Sequence, residues 1–432
     1  MQNLTVWLNR MVKVFATVSA VLNVTTMHAQ QLTSLTLDQA NQLAQKNYPM
    51  IKQKDLVMQT ANLNVENLSK KYLPQFSFSG QASYQSDVTK IDVPIPDFKI
   101  EPPSKDQYKA VADVDQLIYD GGVIKQQQIA QQLNEVVEEQ KVEVELYKLK
   151  DRINQIFLGV LFLDYQLEQA ELVKKDLQTG IKPVEAQVNN GIALRSNLNV
   201  LKAEVLKADQ RTIELKASRK GMLQTLAVFL NQPLDENIIL EKPASPIIAD
   251  TNIIRPELKL YNYQSQQLAQ QTKLIQAKNL PKTNLFVQGG YARPGLNFLK
   301  NEFAFYYIGG IRVNWPLGGL YTQKKEKELV KINQKIVDIQ KETFLLNTNT
   351  QLTQQQSEVD KLNKLIETDK AIIDLRIQVK DAAKAQLENG VINANDFLRE
   401  VNAEDQAQQA LITHEIQLLQ AQINYQTTLG KQ

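Results

Sequence analysis

Hydrophobic residues recur along the chain with two different periods, and both periods occur in each half. Alternation of apolar and polar residues predicts β-strands at about 73–86 and 107–117, and again at about 281–292 and 303–315. Each strand pair is followed by apolar residues spaced three and four apart, which is typical of a long helix that packs like a coiled coil. The pattern therefore predicts a duplicated unit in which a strand hairpin is attached to long helices.

Each half is predicted to continue as a hairpin of two helices. The long helix and its return helix span about 123–189 and 196–230 in the first half, and about 322–388 and 396–429 in the second. A helix of this length extends roughly 100 Å, at about 1.5 Å per residue. Glycines end both long helices and form the tips of the hairpins. The tip residues, of which the apolar ones are expected to be exposed, are Asn190, Gly191, Ile192, Leu194, Asn389, Gly390, Val391 and Ile392.

The repeats also define the domain organisation. The first repeat is assigned to residues 30–254, with a linker at 231–254 that contains several prolines, and the second repeat to residues 255–432. Residues 1–29 combine basic residues, a short apolar run and a small residue at a plausible cleavage point, which predicts a signal peptide. The run is too short to span a bilayer as a helix. We therefore expect an exported protein.

Composition excludes several other kinds of function. The chain has no cysteine and a formal charge of +2, so disulfides, thiolate metal sites and nucleic-acid partners are not expected. Carboxylates occur at the spacing of helix-surface ion pairs rather than in a catalytic cluster, and we predict neither an enzyme nor a cofactor. His414 lies off the apolar stripe of its helix and is interpreted as a solvated residue.

The predicted strands have one apolar and one polar face. Phe76 and Phe78 alternate with serines, as in a strand with lipid on one side and a wet lumen on the other. Asp113, Asp115 and Arg312 fall on polar faces and are predicted to line that lumen. Four strands cannot close a barrel, because unpaired strand edges are costly in lipid. We therefore predict a mainly α-helical protein with a small β part, which closes its barrel as a homotrimer in the outer-membrane lipid.

Short motifs follow one another in a fixed order at residues 34–40, 72–74, 116–122, 189–194, 279–281, 314–319 and 388–393. In this order and spacing they resemble the motifs of the TolC-like outer-membrane efflux proteins, over essentially the whole chain after the signal peptide. The resemblance implies a trimeric, twelve-stranded β-barrel in the outer membrane of a Gram-negative bacterium, continued in the periplasm by an α-helical barrel. It also implies a passive exit channel for small molecules, with a periplasmic adaptor (membrane fusion protein) and an inner-membrane transporter as partners.

The same resemblance assigns roles at the hairpin tips. In the family the tips contact the adaptor, and the position of Asp396 lines the periplasmic aperture, where three copies would form an acidic ring that favours cations. The chain departs from the family pattern at two aperture positions, which hold Arg399 and Asn197. Pairing of Arg399 with Asp396, within the helix or between subunits, would weaken cation selectivity. We therefore expect the contacts that close this aperture to differ from those of an aperture with two acidic rings.

Two alternatives stay open on the sequence alone. A passive channel takes its specificity from its transporter, so the protein could instead be the outer-membrane component of a type I protein secretion system. The alternative from a different class is a periplasmic coiled-coil scaffold, in which the strand hairpins merely cap the helices. The aromatic strand face and the signal peptide argue against the scaffold.

Overall fold

The computed structural model describes residues 33–91, 102–245 and 251–431. The predicted signal peptide, part of the first strand loop and part of the linker lie outside these ranges. The helices are α1 (Leu37–Asn47), α2 (Lys52–Lys70), α3 (Val123–Asn189), α4 (Arg195–Leu230), α5 (Pro256–Lys278), α6 (Gly319–Glu388) and α7 (Ala394–Leu429), with a 3-10 turn at Pro49–Ile51. The strands are β1 (Ser34–Leu35), β2 (Gln75–Tyr84), β3 (Asp106–Tyr119), β4 (Ile239–Leu240), β5 (Lys282–Arg293) and β6 (Ala304–Asn314).

Local hydrogen bonds set the helix boundaries. The Thr36 hydroxyl accepts a hydrogen bond from the N–H of Gln39, and the Gln39 side chain accepts one from the N–H of Thr36, which forms a capping box at the start of α1. The Asp120 carboxylate accepts from two backbone N–H groups at 2.7 and 2.6 Å and so satisfies the first turn of α3. α3 then continues without a break through Pro183.

Strands β2, β3, β5 and β6 form one antiparallel sheet in that order. β3 of the first repeat pairs with β5 of the second, from Tyr108 opposite Arg293 to Tyr119 opposite Thr283. The sheet is therefore continuous across the boundary between the repeats. β2 and β6 form its two edges, and no described strand pairs with the outer side of either edge.

The long helices pack around α3, which contacts every other helix of the fold. Near its middle, Leu149, Ile153 and Phe157 form a core with Leu226 of α4 and Ile423 of α7. Full burial of an aliphatic or aromatic side chain stabilises a fold by roughly 1.5–3 kcal/mol. The short parallel ladder of β1 and β4 closes one end of this core.

The fold class predicted from the sequence is confirmed, since the chain is mainly α-helical, carries four long strands and contains twice the order helix, two strands, long helix and return helix. The bounds of the strands and long helices differ from those predicted by three residues at most, and the bounds of α3 coincide with the predicted 123–189. The linker predicted at 231–254 contains strand β4, which pairs with β1. Within the described ranges, no helix has the length and apolarity needed to cross a bilayer.

One apolar stripe is left uncovered by the chain itself. Leu329, Ile332, Ile336 and Ile339 follow one another along α6 at heptad spacing, and each is about half exposed. An apolar stripe of α3, at residues 146–160, is by contrast largely buried against the other helices. An exposed stripe of this length indicates a surface that another chain covers.

Candidate functional site

The four-stranded sheet has two faces of opposite character. On one face, aromatic and aliphatic side chains project from all four strands; Phe78 and Phe305 are 79% and 86% exposed. The charged pair Asp106–Arg293 lies on this face at the end farthest from the helices. The larger side chains of the apolar face are Phe76, Phe78, Tyr84, Tyr108, Val114, Leu285, Val287, Tyr291, Phe305, Tyr307, Ile311 and Val313.

The opposite face is polar, and it brings together the three charged residues predicted for it. Gln288 donates a hydrogen bond of 2.6 Å to Asp113, and the Arg312 Nη1 atom lies 3.8 Å from Asp115 Oδ1. The Arg312 guanidinium also stacks on Phe286, 4.5 Å from the ring centroid. Asp113, Asp115 and Arg312 therefore share one surface, and their position in a lumen stays a prediction.

The two hairpins of long helices end in tips of similar geometry. Asn190 and Asn389 lie at the C-terminal caps of α3 and α6. The glycines that follow, Gly191 and Gly390, have φ angles of +72° and +71°, a left-handed conformation in which a side chain would be strained. A packed core that includes the buried ring of Phe397 lies directly behind the tips.

Apolar side chains project from these tips. Ile192, Leu194 and Val391 are 72%, 73% and 71% exposed. The prediction that every apolar tip residue is exposed is wrong for Ile392. That side chain is half-buried, because the turn that exposes Val391 directs the next residue onto the core behind the tip.

A cavity of about 370 Å³ lies between the two tips. Asn197 on α4 and Asp396 on α7 both line this cavity, so the structure brings together two of the three predicted aperture residues. Gln187 donates a hydrogen bond of 2.9 Å to the carbonyl of Leu387 and joins the two hairpins here. Asn393 caps α7 by accepting from the N–H of Asp396 at 3.1 Å. Asp396 thus occupies the first helical turn, where the helix dipole favours a carboxylate.

Arg399, the third predicted aperture residue, is exposed one turn further along α7. Its Nη2 atom lies 3.7 Å from Asp396 Oδ1, and its Nε atom donates to Glu400 Oε1 at 3.2 Å. Because the Arg399 side chain is 71% exposed, each of these ion pairs contributes less than about 1 kcal/mol. The structure contains the pairing within the helix, and its effect on an aperture stays a prediction.

A network of charged residues connects three long helices above the tips. The Lys380 ammonium on α6 lies 2.6 Å from Asp176 on α3 and 3.6 Å from Glu404 on α7. Burial alone would lower the pKa of Lys380, but the hydrogen bond and charge of Asp176, with the charge of Glu404, raise the pKa above its ordinary value. Lys380 therefore stays charged and holds the two hairpins together.

A second connection lies next to the first. Arg211 on α4 lies 3.2 Å from Asp405 on α7 and donates a hydrogen bond of 2.6 Å to Gln166 on α3. Gln169 donates to the other oxygen of the same Asp405 carboxylate at 3.1 Å. The sequence analysis did not identify these two networks. The sequence does contain an indication of the Lys380 network. Lys380 occupies a heptad position between Ile377 and Leu387, where an apolar residue is usual.

The interpretation of His414 as a solvated residue is wrong. Its Nδ1 atom on α7 lies 2.6 Å from Oδ2 of Asp369 on α6, and the Asp369 residue is only 8% exposed. A buried carboxylate needs a donor, and the imidazole N–H supplies it. In the part of the chain that the structure describes, no group of three or more histidine or acidic side chains is placed to hold a metal ion.

Solved structures of outer-membrane channel proteins share this fold, with its sheet and long helical hairpins, at 14% sequence identity. CusC matches with a TM-score of 0.68 over 93% of this chain and 93% of its own. VceC of Vibrio cholerae matches with a TM-score of 0.66 over 91% of this chain and 96% of its own, and the Campylobacter jejuni CmeC channel with 0.63 over 91% and 85%.

The sequence itself points to the same group of proteins. Residues 40–232 match the family model of the outer membrane efflux proteins. No curated protein matches the chain in sequence. The chain is therefore similar to outer membrane efflux proteins in sequence over residues 40–232, and it shares the fold of outer-membrane channels over more than nine-tenths of its length.

Proposed function

We propose that this protein is the outer-membrane exit channel of a tripartite efflux system. It conducts small molecules passively from a periplasmic adaptor and an inner-membrane transporter to the cell exterior. The observation that carries the proposal is the four-stranded sheet, which has an exposed apolar face, a polar face and two edges to which no strand of the described residues pairs. In lipid such a sheet is stable only when other strands pair with its edges, because each unsatisfied backbone group costs several kcal/mol there.

A homotrimer satisfies the open edges. With β6 of one copy paired to β2 of the next, three copies form a closed barrel with the apolar face toward lipid and the polar face toward a lumen. The uncovered stripe of α6 supports the same assembly. Covering a half-exposed side chain such as Leu329 or Ile336 stabilises the complex by about 1 kcal/mol each. The helices continue the barrel into the periplasm.

The hairpin tips supply the surface for the adaptor. Ile192, Leu194 and Val391 are exposed beside turns whose backbone is fixed by glycine. Small exposed apolar groups on a rigid turn can enter a groove of a partner at little cost in conformational entropy. Substitution of Leu194 and Val391 by glutamate should abolish co-purification of the adaptor but leave the trimer intact. Retention of the adaptor by this variant would exclude the tips as the contact surface.

The cavity between the tips supplies the aperture. Asp396 lines the cavity, and Arg399 offsets its charge from the same helix. Asp396→Ala should therefore lower the cation preference of single channels, and Arg399→Ala should raise it, because the two substitutions change the local charge in opposite directions. If both variants conduct with the selectivity of the wild type, Asp396 and Arg399 do not line the aperture.

Membrane fractionation and bilayer recording test the function itself. The protein, expressed with its own residues 1–29, should stay in the outer-membrane pellet after a carbonate wash, migrate as a trimer and conduct ions in planar bilayers. Release by carbonate without conductance would instead establish a periplasmic scaffold. The transporter that co-purifies with the adaptor distinguishes small-molecule efflux from type I protein secretion.

A further inference from the structure

Two pairs of lysines lie at opposite edges of the helix-facing end of the sheet. Lys70 ends α2, and Lys71 lies in the tight turn that leads into edge strand β2. Lys324 and Lys325 lie in the second turn of α6, about 8–9 Å beyond the start of that helix, which follows edge strand β6. We call these four residues the lysine collar.

The lysine collar is poorly neutralised by the chain itself. Lys71, Lys324 and Lys325 are exposed and form no ion pair with any described residue. Lys70 lies 3.2 Å from Glu66, but both side chains are more than half exposed, so this pair is weak. Glu326 accepts a hydrogen bond of 2.6 Å from a threonine hydroxyl of its own helix and faces no lysine at ion-pair distance. The collar is therefore a surface of uncompensated positive charge.

Closure of the barrel concentrates this charge. This step depends on the proposed function, because it requires that β6 of one copy pairs with β2 of the next. Lys324 and Lys325 of one copy then lie beside Lys70 and Lys71 of its neighbour, so that each seam between copies gathers four ammonium groups. Neighbouring ammonium groups repel one another, and an anion that contacts all four relieves this repulsion.

The surroundings of the lysine collar indicate what kind of anion binds. Trp315 and Tyr321 are 56% and 88% exposed between the end of β6 and the collar, and Trp315 is held by a hydrogen bond of 3.1 Å from its ring N–H to the Asn279 carbonyl. Exposed aromatic rings of this type lie at the headgroup level of a bilayer. The apolar face of the sheet begins directly beyond them. An anion at the collar would therefore have hydrocarbon chains on its membrane side.

We propose that the lysine collar binds the phosphate of an anionic phospholipid headgroup, at each seam between copies, in the leaflet that faces the periplasm. The phosphate contacts the lysines, and the acyl chains lie along the apolar face of the sheet. Juxtamembrane lysines bind anionic lipid in this way through charge, and their long side chains reach the interface while their stems stay on apolar surface.

Native mass spectrometry of the trimer tests the proposal. The wild-type protein is reconstituted with phosphatidylglycerol or with phosphatidylcholine, and lipid retention is measured. A variant with glutamine at all four collar positions is compared with a control that replaces four other exposed lysines, none of which forms an ion pair within the described ranges. The control substitutions are Lys182→Gln, Lys216→Gln, Lys364→Gln and Lys370→Gln, which change the net charge by the same amount.

The wild type and the control should retain phosphatidylglycerol, one molecule at each seam, and the collar variant should bind it at least about tenfold more weakly. Equal retention by the collar variant and the control, or no preference of the wild type over phosphatidylcholine, would overturn the proposal. If inorganic phosphate alone is retained at the seams in place of the lipid, the site binds phosphate and does not need the lipid, which would also overturn the proposal.

The collar variant need not assemble for the test to succeed. The double variant Lys71→Gln, Lys324→Gln removes two of the unpaired charges of each seam, and the wild-type titration requires no variant at all. A wild-type protein that neither trimerises nor inserts would refute the proposed function. A conducting trimer without a preference for anionic lipid would refute only the lipid site.

Discussion

Replacement of Lys380 should loosen the tip end of the helical hairpins. Lys380 contacts Asp176 on one hairpin and Glu404 on the other. Lys380→Gln keeps much of the side-chain volume and removes the charge. It leaves the Glu404 carboxylate, a residue that is only 6% exposed, with a single hydrogen bond from Gln408 at 2.9 Å. The variant therefore tests whether the ionic network holds α3, α6 and α7 together.

The magnitude follows from the burial of the three groups. Breaking a fully buried ion pair costs about 3–5 kcal/mol. The Asp176 side chain is 38% exposed and regains water, so we expect about 1–3 kcal/mol for Lys380→Gln. If the tip end has a closed and an open arrangement, this free energy shifts the equilibrium between them roughly 5- to 150-fold. The pKa of Lys380 is raised from its ordinary 10.5, so the stabilisation is complete below that pH and is lost as the pH rises through the raised value.

Single-channel recording in planar bilayers measures the effect. Lys380→Gln should spend more time in high-conductance states, and the wild type should do the same when the bath is made strongly alkaline. Lys370→Gln is the matched control, because Lys370 lies on the same helix, is exposed and forms no ion pair with the residues that the structure describes. Thermal unfolding of both variants shows whether the trimer is intact. Identical recordings from Lys380→Gln and Lys370→Gln, with equal melting temperatures, would refute the reasoning.

Three further predictions concern substitutions whose effects on stability can be measured by thermal melting. Burial raises the pKa of Tyr147 to about 12. Allowing for partial exposure, the wild type should lose about 1–2 kcal/mol of stability as the pH rises from about 10 to 12. Tyr147→Phe should not show this loss when melting is measured as a function of pH. His414→Leu should destabilise the trimer by about 1–3 kcal/mol in thermal melts, because it removes the donor to buried Asp369, and a neutral result would show that water replaces it. Gly390→Ala should lower the free energy of unfolding by about 1 kcal/mol, because Gly390 has a positive φ. Gly221→Ala should raise it by up to about 1 kcal/mol, because Gly221 lies inside α4 with open space at the Cβ position. Equal melting temperatures of the two variants would contradict the backbone argument.

Local periodicity explains why much of the fold could be predicted. Alternation with period two depends only on neighbouring residues, so the faces of β2 and the shared face of Asp113 and Asp115 follow from the sequence. The long helices are equally clear, because apolar positions at heptad spacing continue for many turns. The pairing of β3 with β5 does not follow, since nothing within either strand specifies which non-adjacent strand it meets.

The candidate site was predicted where it depends on turns and was missed where it depends on contacts between distant helices. Gly191 and Gly390 identify the tips because a helix end has a local signature. The contacts of Lys380 and Asp369 join residues far apart in the sequence. Both residues nevertheless occupy heptad positions of α6, and a charged residue at such a position needs a partner of opposite charge or a donor on a neighbouring helix. His414 was misread for this reason.

The pairing of β3 with β5 has a consequence for inheritance. This contact is made within one polypeptide. In the proposed trimer, the two edges that a copy offers to its neighbours therefore come from different repeats, β2 from the first and β6 from the second. A closed ring then requires every copy to be sound at both edges. One subunit with a defective β6 leaves its neighbour's β2 unpaired and the ring open. Because all three subunits must be intact, the fraction of working channels is the cube of the fraction of intact subunits. Edge-strand defects in this gene should therefore be dominant over a normal copy expressed beside them, whereas defects confined to the exposed tips should be diluted among working subunits.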